Sequence, residues 1–227
     1  AAPYITMDPA YEAAVLEVFA RLVDQGVVYR QRKPVHWSIE NRTALAEAEL
    51  EYQDREDTSV YVWFPLAGDA PADLPGRAGA PAGLLIWTTT PWTLPANRAV
   101  AVHPDFAYAV VHLDTADGPR TAVVAEERWP AVRKILEQRR GDWLAGHEVL
   151  GTVGGQKLLD LGLHYRHPLA KGLTCPIVPA PYVTLEDGTG LVHTAPGHGL
   201  EDYGTALKCD LEIYCPVQAD GTFDDTA

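Results

Sequence analysis

The sequence predicts an α+β fold that is mainly β, with a closed or strongly bent barrel-like sheet and peripheral helices. Three observations lead there. Runs of β-branched and aromatic residues recur at short spacing between turn signals. Nineteen Gly and 18 Pro break the 227 residues into many short elements. Helical apolar periodicity is confined to four short stretches.

The composition bounds the function. With 47% apolar and 22% charged residues, the chain has an ordinary globular make-up. It is long enough to bury a core without staples. The longest apolar stretches, such as Val60 to Leu66, are strand-sized and far short of the ~18 residues of a membrane span. Lys and Arg number 18 against 31 Asp and Glu, a net charge of -13. That argues against a broad nucleic-acid surface, which needs clustered cations, while leaving room for a local patch. Cys175, Cys209 and Cys215 form no CxxC pair, so reduced thiols and a cytoplasmic setting are expected. No charged segment followed by an apolar one opens the chain as a secretory signal would. It starts at Ala1 and stops soon after a turn at Asp220-Gly221, which reads as a piece of something longer.

The elements follow in order. Ala10 to Gln25 reads as a helix: Asp8 caps it, Pro9 fits its first turn, and Gly26 suits its end. Ala14, Val15, Val18, Phe19, Leu22 and Val23 form its apolar stripe. Thr43 to Leu50, rich in Ala and Glu, is a second, shorter helical candidate. Thr58 to Phe64 is strand-like and Pro65 ends it. Ala67 to Pro81 has no period and reads as a loop. Gly83 to Thr89 is a buried-type strand, and Arg98 to Val102 another. Tyr108 to Leu113 and Arg120 to Ala125 flank Asp117-Gly118, a hairpin signal. Pro130 to Arg140 looks helical. Short strand-like pieces follow at Val149 to Val153, Tyr182 to Leu185 and Leu191 to Thr194, and a helix at Leu200 to Lys208.

Two constellations carry chemistry. The first runs from Trp87 to Asn97, WTTTPWTLPAN. A buried strand delivers three consecutive hydroxyls, and alternation sends Thr88 and Thr90 one way and Thr89 the other. Four Thr and one Asn at a strand mouth can bind a water or a substrate hydroxyl. The plainer reading is that Thr favours strands and Thr-Pro marks a turn. The second runs from Gly190 to Tyr203, GLVHTAPGHGLEDY. His193 falls near a strand end, and Asp202 in the first turn of the next helix. Imidazole and carboxylate together can do acid–base work, hold a metal or bind an amine. Equally, Asp202 can simply favour the helix dipole, and each His can be a hydrogen-bonded fold residue. His198-x3-Asp202 has metal-pair spacing, but no third ligand has a recognisable spacing. Neither GxGxxG nor a phosphate loop occurs. Arg30, Arg32 and Lys33 form one short basic patch, and Arg133, Lys134, Arg139 and Arg140 another; the first is the better nucleic-acid candidate, and a solvated face is the plainer account of each.

Together these two stretches resemble the editing, or connective-peptide, domain of class I aminoacyl-tRNA synthetases, and look like the isoleucyl branch. The valyl and leucyl relatives tend to carry Thr-Thr-Arg-Pro where this chain has Thr89-Thr90-Pro91. Lys33 to Trp37 and Thr43 to Glu49 resemble the segment leading into that domain. The likeness spans most of residues 30 to 225; about 115 to 180 adds little. The synthetase's HIGH and KMSKS motifs are absent, and Met7 is the sole Met. Ala206 and Asp210 stand where the family suggests glycines.

The resemblance implies a single editing domain over 1–227, with a helical lead-in (1–50) and a β-rich core (51–227), cut from a longer synthetase. It implies hydrolysis of Val-tRNA(Ile), with valyl-adenylate as a second candidate, and no metal or other cofactor. The partners implied are the 3′ end of mischarged tRNA(Ile), valyl-adenylate and the rest of the synthetase chain, with no membrane. One methylene in an apolar pocket is worth only ~1–3 kcal/mol, isoleucine against valine being the standard instance. A second site that excludes isoleucine can remove the error. Asp202 is then expected to receive the α-ammonium, and Thr88, Thr89, Thr90 and Asn97 to line the ester and position water. His193 and Thr93 are expected to form the excluding wall, with Trp92 against the adenosine or the rim. Two other classes fit the same residues: a non-catalytic module holding a tRNA 3′ end, and a metal-dependent hydrolase using His193, His198 and Asp202.

Overall fold

The computed structural model describes residues 3–139 and 143–227, with the backbone alone at Arg139. Arg140, the last residue of the expected second basic patch, lies outside the described residues, as does the Arg139 side chain. The chain divides into two compact units, Ala1–Lys33 and Pro34–Ala227.

The first unit is built on helix α1 (Pro9–Asp24). Asp8 accepts the N–H of Ala10 at 2.8 Å, Pro9 opens the first turn, and Gly26 leaves the helix at φ +71°. The helix buries none of its residues, so its apolar stripe stays exposed.

The second unit begins with a two-stranded ribbon, β1 (Trp37–Ser38) with β2 (Thr43–Ala44). The helix expected over Thr43 to Leu50 is replaced by β2 and a single 3₁₀ turn, Glu47–Glu49. The segment is too short to repay helix nucleation, and its first residues pair with β1 instead.

Nine further strands form two sheets. They are β3 (Val60–Pro65), β4 (Ala82–Thr88), β5 (Ala99–Val102), β6 (Ala107–Thr115), β7 (Gly118–Ala125), β8 (Leu144–Gly154), β9 (His164–Arg166), β10 (Thr174–Pro179) and β11 (Val192–Thr194). The helices are α2 (Trp129–Arg139), α3 (Gly155–Asp160) and α4 (Leu200–Cys209). The five-stranded sheet has the order β3-β4-β7-β6-β8 and the four-stranded sheet β11-β5-β10-β9. The pairs β4–β7 and β5–β10 are parallel.

The expected closed or strongly bent barrel-like sheet is not formed: the described residues make three open sheets. The larger sheet ends on β3 and β8, which do not pair with each other. Pro65 closes β3, and β8 is mostly solvent-facing with two register shifts against β6. Pro91 and the 3₁₀ segment Pro91–Ala96 then carry the chain out of β4 and into β5, a strand of the other sheet. The result is a layered packing. Phe64, Leu84, Ile86, Val110 and Val123 of the larger sheet share one core with Val100, Val102, Tyr165 and Cys175 of the smaller. On the larger sheet's other face, α2 packs Trp129, Val132 and Leu136 against Leu85, Val111 and Val124.

The strand expected at Tyr182 to Leu185 is instead irregular backbone, and a tight loop joins it to β11. Glycine is required at Gly188 and Gly190, both at φ +69°. A Cβ on Gly188 would sit 2.7 Å from the Trp87 ring, and one on Gly190 would collide with Ala125 Cβ. Tyr108 anchors this loop by donating its hydroxyl to the Gly190 carbonyl at 3.1 Å.

Candidate functional site

Three segments converge on one cavity of about 420 Å³: the end of β4 with its following turn, the loop into β11, and the start of α4. That size lies in the ordinary small-ligand range of roughly 300–1,000 Å³.

The turn is fixed by its own hydroxyls and prolines. β4 stops at Thr88, and Thr90 takes φ −121°, ψ 64°, outside the helical region as a residue before proline should be. Thr88 Oγ1 accepts the Thr90 N–H at 3.0 Å and lies 3.2 Å from Thr90 Oγ1. Thr88 is buried, whereas Thr89 and Thr90 are exposed at the cavity. Thr88 and Thr90 meet through a turn rather than by strand alternation, because β4 ends at Thr88, and Thr89, expected to point the other way, lines the same cavity. Trp92 stands at the rim, 53% exposed, its ring edge-on to His198 at 5.2 Å. Burial lowers the pKa of His198, and its Nε2 is enclosed without a hydrogen-bond partner.

His193 sits on β11 opposite Val100 of β5 and is 7% exposed. Both ring nitrogens are engaged. Nε2 lies 2.8 Å from Thr93 Oγ1, and Nδ1 lies 2.8 Å from Asn97 Nδ2. An amide NH₂ can only donate, so Nδ1 is the acceptor and Nε2 carries the proton. Thr93 agrees, because its own hydroxyl donates to the Thr90 carbonyl at 2.9 Å. Burial, with His167 and His198 nearby, pushes His193 down to about 4, so the ring is neutral at physiological pH.

Asp202 occupies the first turn of α4. Its Oδ2 accepts the Ala195 N–H at 2.9 Å, and its Oδ1 accepts from the Tyr182 hydroxyl at 3.4 Å. Burial raises the carboxyl pKa, the Ala195 N–H and Tyr182 hydroxyl oppose that, and Glu201 adds to it. The site therefore offers one under-solvated carboxylate facing hydroxyls and a neutral imidazole.

The structure brings Thr88, Thr89, Thr90, Trp92, Thr93, His193 and Asp202 to this cavity. It places Asn97 elsewhere: fully buried behind His193, donating also to the Ala99 carbonyl at 2.9 Å and accepting from Tyr165. Two residues passed unnoticed in the sequence. Tyr182 follows a proline in a stretch read as strand, and Tyr165 lies where the family likeness is thin; neither hydroxyl carried a local signal. His193 has no lone pair free for a metal, since Asn97 occupies Nδ1 and Nε2 is protonated. Among the described residues, no group of three or more His, Cys, Asp and Glu is placed to hold a metal ion.

Comparison with known proteins shows the family. The family model of class I tRNA synthetases (I, L, M and V) matches residues 1–206. An isoleucine–tRNA ligase of Nitratidesulfovibrio vulgaris (strain DP4) is 47% identical over 98% of this chain and 22% of that protein. One of Fervidobacterium pennivorans is 45% identical over 99% of this chain and again 22% of that protein. The chain thus spans about a fifth of the length of these relatives. The GlLeuRS-CP1 crystal structure has the same fold at a TM-score of 0.50 and 18% identity, covering 68% of this chain and 66% of that one. With the family model matched across nine-tenths of its length, the chain belongs to the class I tRNA synthetases of the isoleucine, leucine, methionine and valine group.

Proposed function

We propose that the chain is the editing domain of an isoleucyl-tRNA synthetase, and that it hydrolyses Val-tRNA(Ile), with valyl-adenylate as the second candidate substrate. The observation that carries this reading is the cavity in which the Thr88–Thr90 turn, the His193 wall and the Asp202 carboxylate meet. Support also comes from the identity to isoleucine–tRNA ligases across nearly the whole chain.

The roles follow from the groups. Asp202 receives the α-ammonium of the aminoacyl group as a charge-assisted pair. His193, held by Thr93 and Asn97, forms a rigid wall against a larger side chain. The Thr88 and Thr90 hydroxyls hold a water against the ester carbonyl. That water attacks the carbonyl carbon and the acyl–oxygen bond breaks. The leaving ribose oxygen takes the water's proton, giving free valine and tRNA. His193 is not a general base in this scheme, because its only basic nitrogen is occupied by Asn97. An aminoacyl ester is already activated, so positioning and the substrate's own neighbouring hydroxyl suffice. None of these steps calls for a metal or an organic cofactor. The net charge of -13 leaves the tRNA body to be held by the rest of the synthetase, with only the 3′ end entering here.

The test is deacylation of Val-tRNA(Ile) and Ile-tRNA(Ile) by this chain, alone and within its parent synthetase. Hydrolysis of the valyl ester with the isoleucyl ester spared is expected. Binding of the tRNA end without turnover in either setting would favour a non-catalytic module.

A further inference from the structure

The polarity of the hydrogen bonds behind the cavity is set at Asn97, by the Ala99 carbonyl on one side and Tyr165 on the other. Tyr165 on β9 is fully buried, its ring packed against Phe64 at 5.2 Å. Its hydroxyl donates to Asn97 Oδ1 at 2.5 Å. An asparagine amide can be turned either way, and its two orientations exchange a donor for an acceptor. The Ala99 carbonyl, which can only accept, and the Tyr165 hydroxyl, donating to Oδ1, together hold one of them. With Oδ1 facing the tyrosine, Nδ2 faces the Ala99 carbonyl and His193 Nδ1. Nδ1 must then be unprotonated, so Nε2 carries the hydrogen and donates to Thr93, which donates to the Thr90 carbonyl. Every link runs in one direction, from β9 in the smaller sheet to the turn that lines the cavity.

We propose that Tyr165 is a positioning residue of the editing site, acting through Asn97 to hold His193 as a single Nε2–H tautomer and so to fix the wall that separates valyl from isoleucyl esters. The inference rests on the editing function proposed above. Tyr165 itself does not line the cavity. Removing its hydroxyl leaves Asn97 Oδ1 as a buried acceptor with no donor, so the bound orientation keeps only its Ala99 hold and inversion becomes less costly. Inversion turns a carbonyl lone pair toward the Nδ1 lone pair. The ring answers by moving its proton to Nδ1 or by rotating away from Thr93, and either change loosens the wall.

Two measurements on Tyr165→Phe test this. The first is the imidazole ¹⁵N spectrum of the ¹⁵N-histidine-labelled chain, with His193 assigned by substitution. Wild type is expected to show a protonated Nε2 and a bare Nδ1. The variant is expected to lose that single tautomer while its melting curve stays cooperative. The second is the ratio of Val-tRNA(Ile) to Ile-tRNA(Ile) deacylation, expected to fall by roughly five- to tenfold, the scale of one neutral hydrogen bond. A protonated Nδ1 in wild type overturns the proposal without any variant, which covers the case in which Tyr165→Phe does not fold. An unchanged tautomer or an unchanged ratio in a folded variant overturns it as well. If wild type shows the expected tautomer but hydrolyses neither ester, it is the editing function that fails, and the two failures are told apart.

Discussion

Replacing Asp202 by Asn tests the charge at the centre of the proposed site while sparing its scaffold. The Asp202 carboxylate has two jobs. Its Oδ2 accepts the N–H of Ala195, a residue only 1% exposed, and its Oδ1 holds a long contact of 3.4 Å from Tyr182 that leaves acceptor capacity for a ligand. Asparagine keeps a carbonyl oxygen for Ala195 and removes the charge. Alanine removes both, orphaning a buried N–H at about 1–3 kcal/mol of stability. Asp202→Ala is therefore expected to melt earlier than Asp202→Asn, and the asparagine variant is the cleaner probe of binding.

The magnitude follows from the pairing. A hydrogen bond to a charged group contributes about 1.5–3 kcal/mol, or roughly 10- to 150-fold in Kd. The assay is titration of a non-hydrolysable valyl-adenosine analogue and of the same analogue without its α-amino group, against wild type and Asp202→Asn. Wild type is expected to discriminate between the two analogues by that factor. The variant is expected to bind them alike, so the coupling appears only when both partners are present. A pH series adds a second signature. Burial raises the Asp202 pKa, so as pH falls through it the carboxyl becomes neutral and wild-type affinity for the amino analogue declines. The variant has no such decline. Equal discrimination in both proteins would remove Asp202 from the ammonium pair.

Four further outcomes are expected. His193→Ala admits the larger side chain, so Ile-tRNA(Ile) becomes a substrate in a deacylation assay; loss of valyl activity with the isoleucyl ester still spared would make His193 something other than a wall. Thr90→Ala lowers single-turnover hydrolysis of the valyl ester more than it lowers analogue binding, because its hydroxyl sits beside that of Thr88 at 3.2 Å, and Thr89→Ala is milder; a Thr90→Ala defect seen wholly in binding contradicts this. Gly190→Ala lowers the melting temperature, since the position combines φ +69° with a collision against Ala125; a wild-type melting curve would show that the loop can move. His193 is at about 4 in the fold against 6.5 unfolded, so the unfolded chain binds the extra proton and stability is lost as pH falls from 6.5 toward 4, by up to roughly 3 kcal/mol. The raised pKa of Asp202 works against that loss, and urea midpoints of wild type and His193→Gln across the window isolate the histidine's share.

The local signals in the sequence were reliable where the physics is local. Asp8, Pro9 and Gly26 delimit α1 because caps and backbone preferences need no distant partner. Asp117-Gly118 marks the β6–β7 hairpin because its register is set by the turn, with Thr115 opposite Gly118. Sheet closure was misjudged for the opposite reason. The parallel pairs β4–β7 and β5–β10 join strands far apart in sequence, and short strands between turns look alike whether they close a barrel or end in two packed edges. Thr43 to Leu50 carries good helix formers, yet pairing with β1 decides its start. At the site, the two motif stretches brought seven of the eight expected residues to one cavity. Asn97 went behind the wall because the 3₁₀ turn from Pro91 to Ala96 re-aims the chain before it enters β5. Tyr165 and Tyr182 were not legible at all, since a buried hydroxyl becomes informative only when its acceptor is known.

That placement of Asn97 bears on how the site would discriminate under the proposed function. A wall that rejects one extra methylene must not yield by a few tenths of an ångström, yet His193 belongs to a strand of only three residues. Packing alone leaves an imidazole able to rotate or to exchange tautomers, each with a different reach. Hydrogen bonds at both nitrogens remove those freedoms: Asn97 fixes Nδ1 from β5's leading edge, and Thr93 fixes Nε2 from the 3₁₀ turn. The same turn carries the Thr90 carbonyl that receives the Thr93 hydroxyl, so the proposed wall and the hydroxyls proposed to hold the water are parts of one bonded frame. Loosening either end is therefore expected to degrade selectivity before it degrades the fold. Under the proposed mechanism the ester is reactive enough for residual hydrolysis to persist, while the distinction between two aliphatic side chains depends on the rigidity of the frame.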